Sequence, residues 1–268
     1  MMAPVGKRVL ALTLALASSV VLILWVNQAG ERRTALVFCD VGQGDGAYLR
    51  INNRFDVLVD AGPNDAILGC LGKHMPFYDR TIELVIVSHC HQDHIGGLAA
   101  LTSHYRLRQV ILTTSTCNDR SPTWTKTAAP LHQHQVKIIT LAPPRRLRVL
   151  DAVFDLLYDA DSLICLYSQK QQRVLFTGDA DAAGLDKLLV EPSFLSRLPI
   201  TILKVPHHGS KTALNRKLYL LAHPAVAVIS VGAKNSYGHP APDVLAVLKA
   251  LKINIKRTDE DGEVVFKF

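Results

Sequence analysis

The sequence predicts an α+β layered domain, with two β-sheets inside and helices outside. Two observations carry this expectation. Two blocks of short β-type runs, residues 35–60 and 147–177, each pass into alternating strand and helix patterns. Residues 34–268 also contain no internal repeat, no low-complexity tract and no linker long enough to separate two domains.

In chain order, strands are predicted at residues 35–40, 47–51 and 55–60. The turn Gly42-Gln43-Gly44-Asp45-Gly46 separates the first two, and Asn52-Asn53 reads as a two-residue hairpin before the third. Residues 84–88 form another apolar, β-branched run that ends in histidines, and a helix starts at Gly96-Gly97-Leu98. Strands at 108–112 and 136–141 flank a helix ending near His134. The second block predicts strands at 147–150, 153–157, 163–167 and 173–177. Helices at 182–190, 213–221 and 242–251 then alternate with strands at 200–205, 225–231, 253–257 and 263–268.

With 268 residues, 49% of them hydrophobic, the chain has enough apolar side chain to bury a full core. Its net charge of +7 is compatible with an anionic partner such as nucleic acid or lipid phosphate. Lys7 and Arg8 precede an uncharged run over residues 9–26. That length suits a membrane anchor, which needs about 17–25 apolar residues. A cleaved secretory signal shares the basic start, and Ala29-Gly30 offers a poor cleavage site for it. Residues 1–33 are thus expected to be a membrane anchor or signal segment, with residues 34–268 a domain outside the cytoplasm. The five cysteines include no C-x-x-C pair, which excludes a zinc knuckle or dithiol redox motif. In an exported domain Cys70 and Cys117 are expected to pair, while Cys39 and Cys165 read as small buried residues of apolar strands.

The most informative stretch is Ser88-His89-Cys90-His91-Gln92-Asp93-His94-Ile95-Gly96-Gly97. Imidazole and carboxylate are the side chains that bind zinc and manganese. A strand end followed by a tight loop lets His89, His91, Asp93 and His94 converge on one point, and Gly96-Gly97 lets the next helix come close.

The H-x-H-x-D-H pattern after an apolar strand resembles the signature of the metallo-β-lactamase superfamily. Five further segments resemble one branch of it, the hydrolase domain at the C-terminus of ComEC-type DNA-uptake proteins. They are Asp40-Val41-Gly42-Gln43-Gly44-Asp45, Leu58-Val59-Asp60-Ala61-Gly62, Leu175-Phe176-Thr177-Gly178-Asp179, Lys204-Val205-Pro206-His207-His208-Gly209-Ser210 and Asn235-Ser236-Tyr237-Gly238-His239-Pro240. The resemblance implies an αββα sandwich with the site at one edge of the two sheets. By it, His89 and His91 hold a first divalent metal ion, Zn²⁺ or Mn²⁺, and Asp93 and His94 a second. Asp179 bridges the two, and His207 or His208 completes the second. The superfamily supplies the first metal with a third histidine shortly before the bridging aspartate, but here the chain reads Tyr158-Asp159-Ala160-Asp161-Ser162. Asp159 or Asp161 is the available substitute, and a more oxygen-rich site shifts preference from zinc toward manganese. His132 and His134, on the helix between strands, read as surface residues.

Two such metals lower the pKa of a bound water and take up charge on a phosphoryl or carbonyl oxygen. Asp93 and Asp179 are the candidate catalytic carboxylates, with Asp93 orienting the hydroxide. Asp45, Lys204 and His239 are candidate substrate-binding or supporting groups. The leading expectation is a phosphodiesterase or nuclease acting on DNA during uptake beside a membrane channel. Arg106, Arg108, Arg145, Arg146 and Arg148 are candidates to grip phosphates. The alternatives are a hydrolase of a phosphorylcholine-type phosphodiester or a β-lactam, or a metal-binding accessory subunit of a DNA-transport system. The intact ligand set argues against the last.

Overall fold

A computed structural model describes residues 4–30, 33–113, 117, 121–142, 144–158 and 162–268. The first half of the chain supplies β1 (Ala35–Phe38), β2 (Gly46–Ile51), β3 (Phe55–Ala61), β4 (Thr81–Ile82), β5 (Leu84–Ile86), β6 (Arg106–Leu107), β7 (Gln109–Thr113) and β8 (Lys137–Leu141). The second half supplies β9 (Arg145–Val149), β10 (Ala152–Tyr158), β11 (Leu163–Gln169), β12 (Gln172–Phe176), β13 (Ile202–Lys204), β14 (Val226–Ile229), β15 (Asn254–Arg257) and β16 (Val264–Lys267). They form two seven-stranded sheets, ordered β16-β1-β2-β3-β5-β7-β8 and β15-β14-β13-β12-β11-β10-β9, with β4 and β6 as a separate parallel pair. Each large sheet is antiparallel where hairpins join its strands and parallel where helices intervene, from β3 to β8 and from β12 to β15.

The strands are buried on both faces. On β1 to β3, Val37, Tyr48 and Leu58 point outward, under the helices. They pack with Ile67 and Leu71 of α2, Leu98 and Leu101 of α4, and Leu131 of α5; in chain order the helices are α1 (Pro4–Gly30), α2 (Ala66–His74), α3 (Gln92–Ile95), α4 (Leu98–Thr102) and α5 (Pro122–Gln133). The alternate residues Leu36, Leu49 and Val57 point inward, against Phe154, Tyr167 and Phe176 of the other sheet. That sheet's outer face, with Leu166, Leu175 and Leu203, is covered by Leu185 of α6 (Ala182–Leu188), Leu218 of α8 (Arg216–Ala222) and Leu248 of α9 (Pro242–Ala250), with α7 (Pro192–Leu195) adding Phe194. Three apolar layers between four structural ones make the expected αββα sandwich. Fully burying each such leucine or phenylalanine contributes about 1.5–3 kcal/mol. The carboxyl ends of the parallel strands, where ligands bind in open α/β sheets, open onto one edge of the sandwich.

Several local expectations are corrected. Asn52 and Asn53 both take left-handed φ values, 53° and 58°, but Ile51 pairs with Phe55, so the hairpin loop has a third residue, Arg54. The strand predicted at 147–150 is Arg145–Val149, ended by Leu150 at φ 56°. The helix predicted from Gly96 begins earlier, as α3 inside the histidine motif, breaks at Gly96-Gly97 and resumes as α4. Both positions must be glycine, since a Cβ on Gly96 would lie 2.0 Å from Pro63 O, and one on Gly97 2.2 Å from Ala61 O. The expected Cys70–Cys117 pairing is wrong. Cys39 joins Cys70 and Cys90 joins Cys117, with Cα atoms 5.7 and 5.1 Å apart, leaving Cys165 as a buried free thiol. Cys39 had read as a strand residue packed alone, but α2 lies over that strand and brings Cys70 onto it.

Residues 9–21 of α1 are exposed. Among the described residues no helix is long and apolar enough to cross a membrane.

Candidate metal centre

The site begins where β5 ends. The Ser88 backbone N–H donates to Asp60 Oδ1 (2.8 Å) and its hydroxyl to Asp60 Oδ2 (2.7 Å), pinning the strand end to the last turn of β3. His89 follows directly, His91 caps α3 in extended conformation, and Asp93 and His94 occupy the helix's single turn. The helical turn swings Asp93 and His94 to one side of His89 and His91. Asp45, in the β1–β2 turn, is tied to the same motif by a bond from its backbone N–H to Asp93 O (3.0 Å).

Across the edge, Asp179 follows β12 and His207-His208 follow β13. Gly178 must be glycine: its φ is +49°, and a Cβ there would lie 2.0 Å from Ser162 Oγ. Ser162 is buried and accepts a bond from the Asp179 backbone N–H at 3.1 Å. His207 and His208 both have left-handed backbones, with φ 48° and 54°, so their side chains diverge.

Two donor groups result, and Asp179 belongs to both. His89, His91 and Asp179 form the first, and Asp93, His94, Asp179 and His208 the second, each with its ligand atoms within 4.8 Å of one another. Asp179 Oδ2 stands 3.7 Å from His89 Nε2, while Oδ1 stands 3.3 Å from His94 Nε2 and 3.5 Å from His208 Nε2. His208 Nε2 is also 3.4 Å from Asp93 Oδ2. Donors around a tetrahedral zinc, each about 2.1 Å from it, stand about 3.4 Å apart. His94 Nε2, His208 Nε2 and Asp179 Oδ1 are also buried without any hydrogen-bond partner. Three orphaned polar atoms aimed at one point fit a divalent cation, because leaving them unsatisfied is costly.

The other nitrogens of these histidines are held from behind. His94 Nδ1 is 2.9 Å from Asp60 Oδ2, His208 Nδ1 is 2.9 Å from Ser230 O, and His89 Nδ1 is 3.1 Å from Ser88 Oγ. Such outer partners fix ring orientation and raise ligand basicity. Asp45 reaches His208 Nδ1 at 3.4 Å and pairs with Lys204, whose ammonium also donates to Gly178 O at 3.0 Å. Asp45 and Lys204 are 5% and 3% exposed, so both stand beneath the donor groups, away from solvent.

Charge is shared tightly here. Burial disfavours the imidazolium of His94, but Asp179 and Asp60 carry its pKa well above the usual range. His208 is pushed up to about 9, burial being overcome by the Asp45 carboxylate. Asp179 lies well below the carboxylate range despite burial, because of His94. Burial, reinforced by the nearby His94 charge, pushes His89 down to about 2. In the metal-free chain, protons on His94 and His208 therefore balance the carboxylates that a metal would otherwise neutralise.

Of the other sequence candidates, His207 is 38% exposed at its side chain, with Nε2 3.5 Å from Asp179 Oδ2. It lies at the rim and outside both donor groups. His239 is partly buried, with its ring 6.1 Å from that of His207. Asp159 and Asp161 lie outside the described residues. Arg106, Arg108, Arg145, Arg146 and Arg148 are exposed, Arg146 pairing with Asp155, and His132 and His134 are exposed as well. Sequence reasoning assigned no role to Asp60, Ser88 or Ser230. Asp60 alone carried a signal, a carboxylate closing the apolar run Leu58-Val59.

Residues 40–233 match the family model of the metallo-beta-lactamase superfamily. ComE operon protein 3 of Bacillus subtilis is 23% identical over 93% of this chain and 35% of its own length. Recombination protein 2 of Haemophilus influenzae is 29% identical over 92% of this chain and 30% of its own length. The chain thus spans about a third of the curated relatives it matches. Among solved structures, the metallo-beta-lactamase fold protein YhfI from Bacillus subtilis superimposes with a TM-score of 0.60 at 13% identity, covering 88% of this chain and 99% of that one. The chain belongs to the metallo-beta-lactamase superfamily, and the curated proteins it resembles include ComEC-type competence proteins.

Proposed function

We propose that this chain is a metal-dependent phosphodiesterase that cuts DNA, working outside the cytoplasm beside a membrane DNA-uptake channel. The observation that carries the reading is the sharing of Asp179 between two donor groups, one oxygen facing each. His89, His91 and Asp179 would hold one divalent ion, Zn²⁺ or Mn²⁺, and Asp93, His94, Asp179 and His208 a second, and ions bound there would supply an activated water and take up charge on a phosphoryl oxygen. The second group holds two carboxylates beside two imidazoles, a donor set that suits manganese as well as zinc.

The protein's own residues do the rest. Asp93 has a side chain 33% exposed, so it faces the substrate side and orients the attacking water. Asp60, Ser88 and Ser230 fix the histidine rings, and the buried Lys204–Asp45 pair stabilises the floor beneath His208. The exposed arginines and the net charge of +7 favour a polyanion over a neutral substrate. The competence relatives direct that preference to DNA. Export is supported by two disulfides, which persist in oxidising compartments, and by a basic-then-apolar N-terminus serving as leader or anchor.

The test uses purified chain with Mn²⁺ or Zn²⁺ on linear DNA, bis-p-nitrophenyl phosphate and nitrocefin. The expected result is cleavage of both phosphodiesters, lost in His91→Ala. No hydrolysis with either metal would make the protein an accessory subunit, and nitrocefin turnover alone would make it a lactamase. N-terminal sequencing of the mature protein separates a cleaved leader from a retained anchor.

A further inference from the structure

Beside the donor groups stands a ladder of rings that the metal chemistry leaves unused. His207, with Nε2 3.5 Å from Asp179 Oδ2, meets the ring of His239 edge-on at 6.1 Å. His239 in turn lies nearly parallel to Tyr237, with centroids 5.9 Å apart and planes 18° from each other. Tyr237 is 69% exposed. Its ring therefore has an imidazole as an offset, nearly parallel neighbour and is otherwise largely open to solvent. His239 Nδ1 is buried and has no hydrogen-bond partner.

The ladder is rigidly placed. Asn235 clamps the loop, its side chain donating to Gly232 O (2.9 Å) and His239 O (2.8 Å) and accepting from the His239 backbone N–H (3.0 Å). Pro240 then packs against Gly209, the residue after His207-His208: a Cβ on Gly209 would come within 2.7 Å of Pro240 Cβ. The Ala241 backbone N–H donates to Gly209 O at 2.9 Å. The loop that presents Tyr237 is thus bolted to the turn that presents His208. Tyr237 is the exposed rung of a ladder whose backbone is fixed against the turn that presents His208, which places an accessible aromatic face beside the donor groups.

We infer that Tyr237 is a stacking platform for the base of an unpaired nucleotide, held next to the phosphate that the metal centre engages. The inference rests on the phosphodiesterase reading and deepens it by naming the substrate as a single-stranded end. Every base has a flat π-face, and aromatic side chains hold single strands by stacking on it. A base inside a duplex has both faces covered and cannot use the platform. A quaternary ammonium headgroup is the competing occupant, since it too binds aromatic faces. The exposed Lys234 in the same loop, however, repels a cation and attracts a phosphate.

The experiment titrates the metal-free chain with short single-stranded oligodeoxynucleotides ending in the fluorescent base 2-aminopurine, and with matched oligonucleotides abasic at that end and labelled elsewhere. Binding is thereby read apart from cutting. Wild type should bind the base-bearing strand about 10-fold more tightly than the abasic one, with quenched 2-aminopurine fluorescence. Tyr237→Phe should keep that preference and Tyr237→Ala should lose it. Equal preference in wild type and Tyr237→Ala overturns the inference. So does phosphorylcholine binding that vanishes in Tyr237→Ala while the base preference stays. Failure of the underlying reading looks different: the base preference stands, but no phosphodiester is cut with Mn²⁺ or Zn²⁺.

Discussion

Asp60 Oδ2 lies 2.9 Å from His94 Nδ1, and the same carboxylate takes two hydrogen bonds from Ser88. This single buried group joins the end of β3, the end of β5 and the one turn of α3. It leaves His94 Nε2 alone to face Asp179, and it fixes the angle at which it does so. A carboxylate–histidine pair behind a metal ligand also keeps the imidazole basic.

Replacing that carboxylate by an isosteric amide should therefore weaken metal binding without emptying the fold. Asp60→Asn is expected to lower affinity at the second donor group by about 10–100-fold, measured by competition with a chromophoric chelator. Unaltered affinity would mean that packing alone orients His94.

The two adjacent histidines should separate cleanly. His208 is 2% exposed and faces both Asp93 and Asp179, whereas His207 stands at the rim. His208→Ala is expected to lower the bound metal from two equivalents to one by elemental analysis, with His207→Ala retaining two. Loss of a metal in His207→Ala would reverse the assignment.

Metal-free and metal-loaded protein should respond to pH in opposite directions. Burial disfavours the charged form of His208, but Asp45 holds its pKa up to about 9 against an ordinary 6.5. A raised folded-state value means that the native chain holds the proton more tightly than the unfolded one. The associated stabilisation is complete below about pH 6.5 and fades as pH rises through about 9. The melting temperature of metal-free protein should fall across that window. That of metal-loaded protein should hold or rise, because the ligands bind metal as they lose protons. Parallel curves from differential scanning fluorimetry would remove the histidines from the balance.

The Cys90–Cys117 bridge starts inside the H-x-H-x-D-H motif and closes a loop of 27 residues. Constraining a loop of that length in the unfolded chain is worth about 3.5 kcal/mol. The double variant Cys90→Ser/Cys117→Ser should lose about that much in urea unfolding, and its metal affinity should drop because the bridge holds the segment between His89 and His91. A variant with unchanged stability would mean that the bridge does not form.

The layered α+β class and the cluster from His89 to His94 are legible in the residues alone, because both are written in local pattern. Short apolar, β-branched runs bounded by turn residues mark strands buried on both faces, and ligands spaced along one turn converge on one point. Asp179 was legible only through resemblance, since a single aspartate after a strand carries no local signal, whereas the paired histidines His207-His208 before Gly209 stand out by themselves. The rest came from long-range packing. It brought His208, and not His207, into the second donor group, and buried Asp45 and Lys204 beneath that group. It also paired Cys39 with Cys70 by laying α2 over β1, and gave Asp60 its role behind His94. Each of these depends on groups far apart in the chain being packed to within a few ångströms. The packing comes from burying both faces of two sheets at once, which no local window of sequence records.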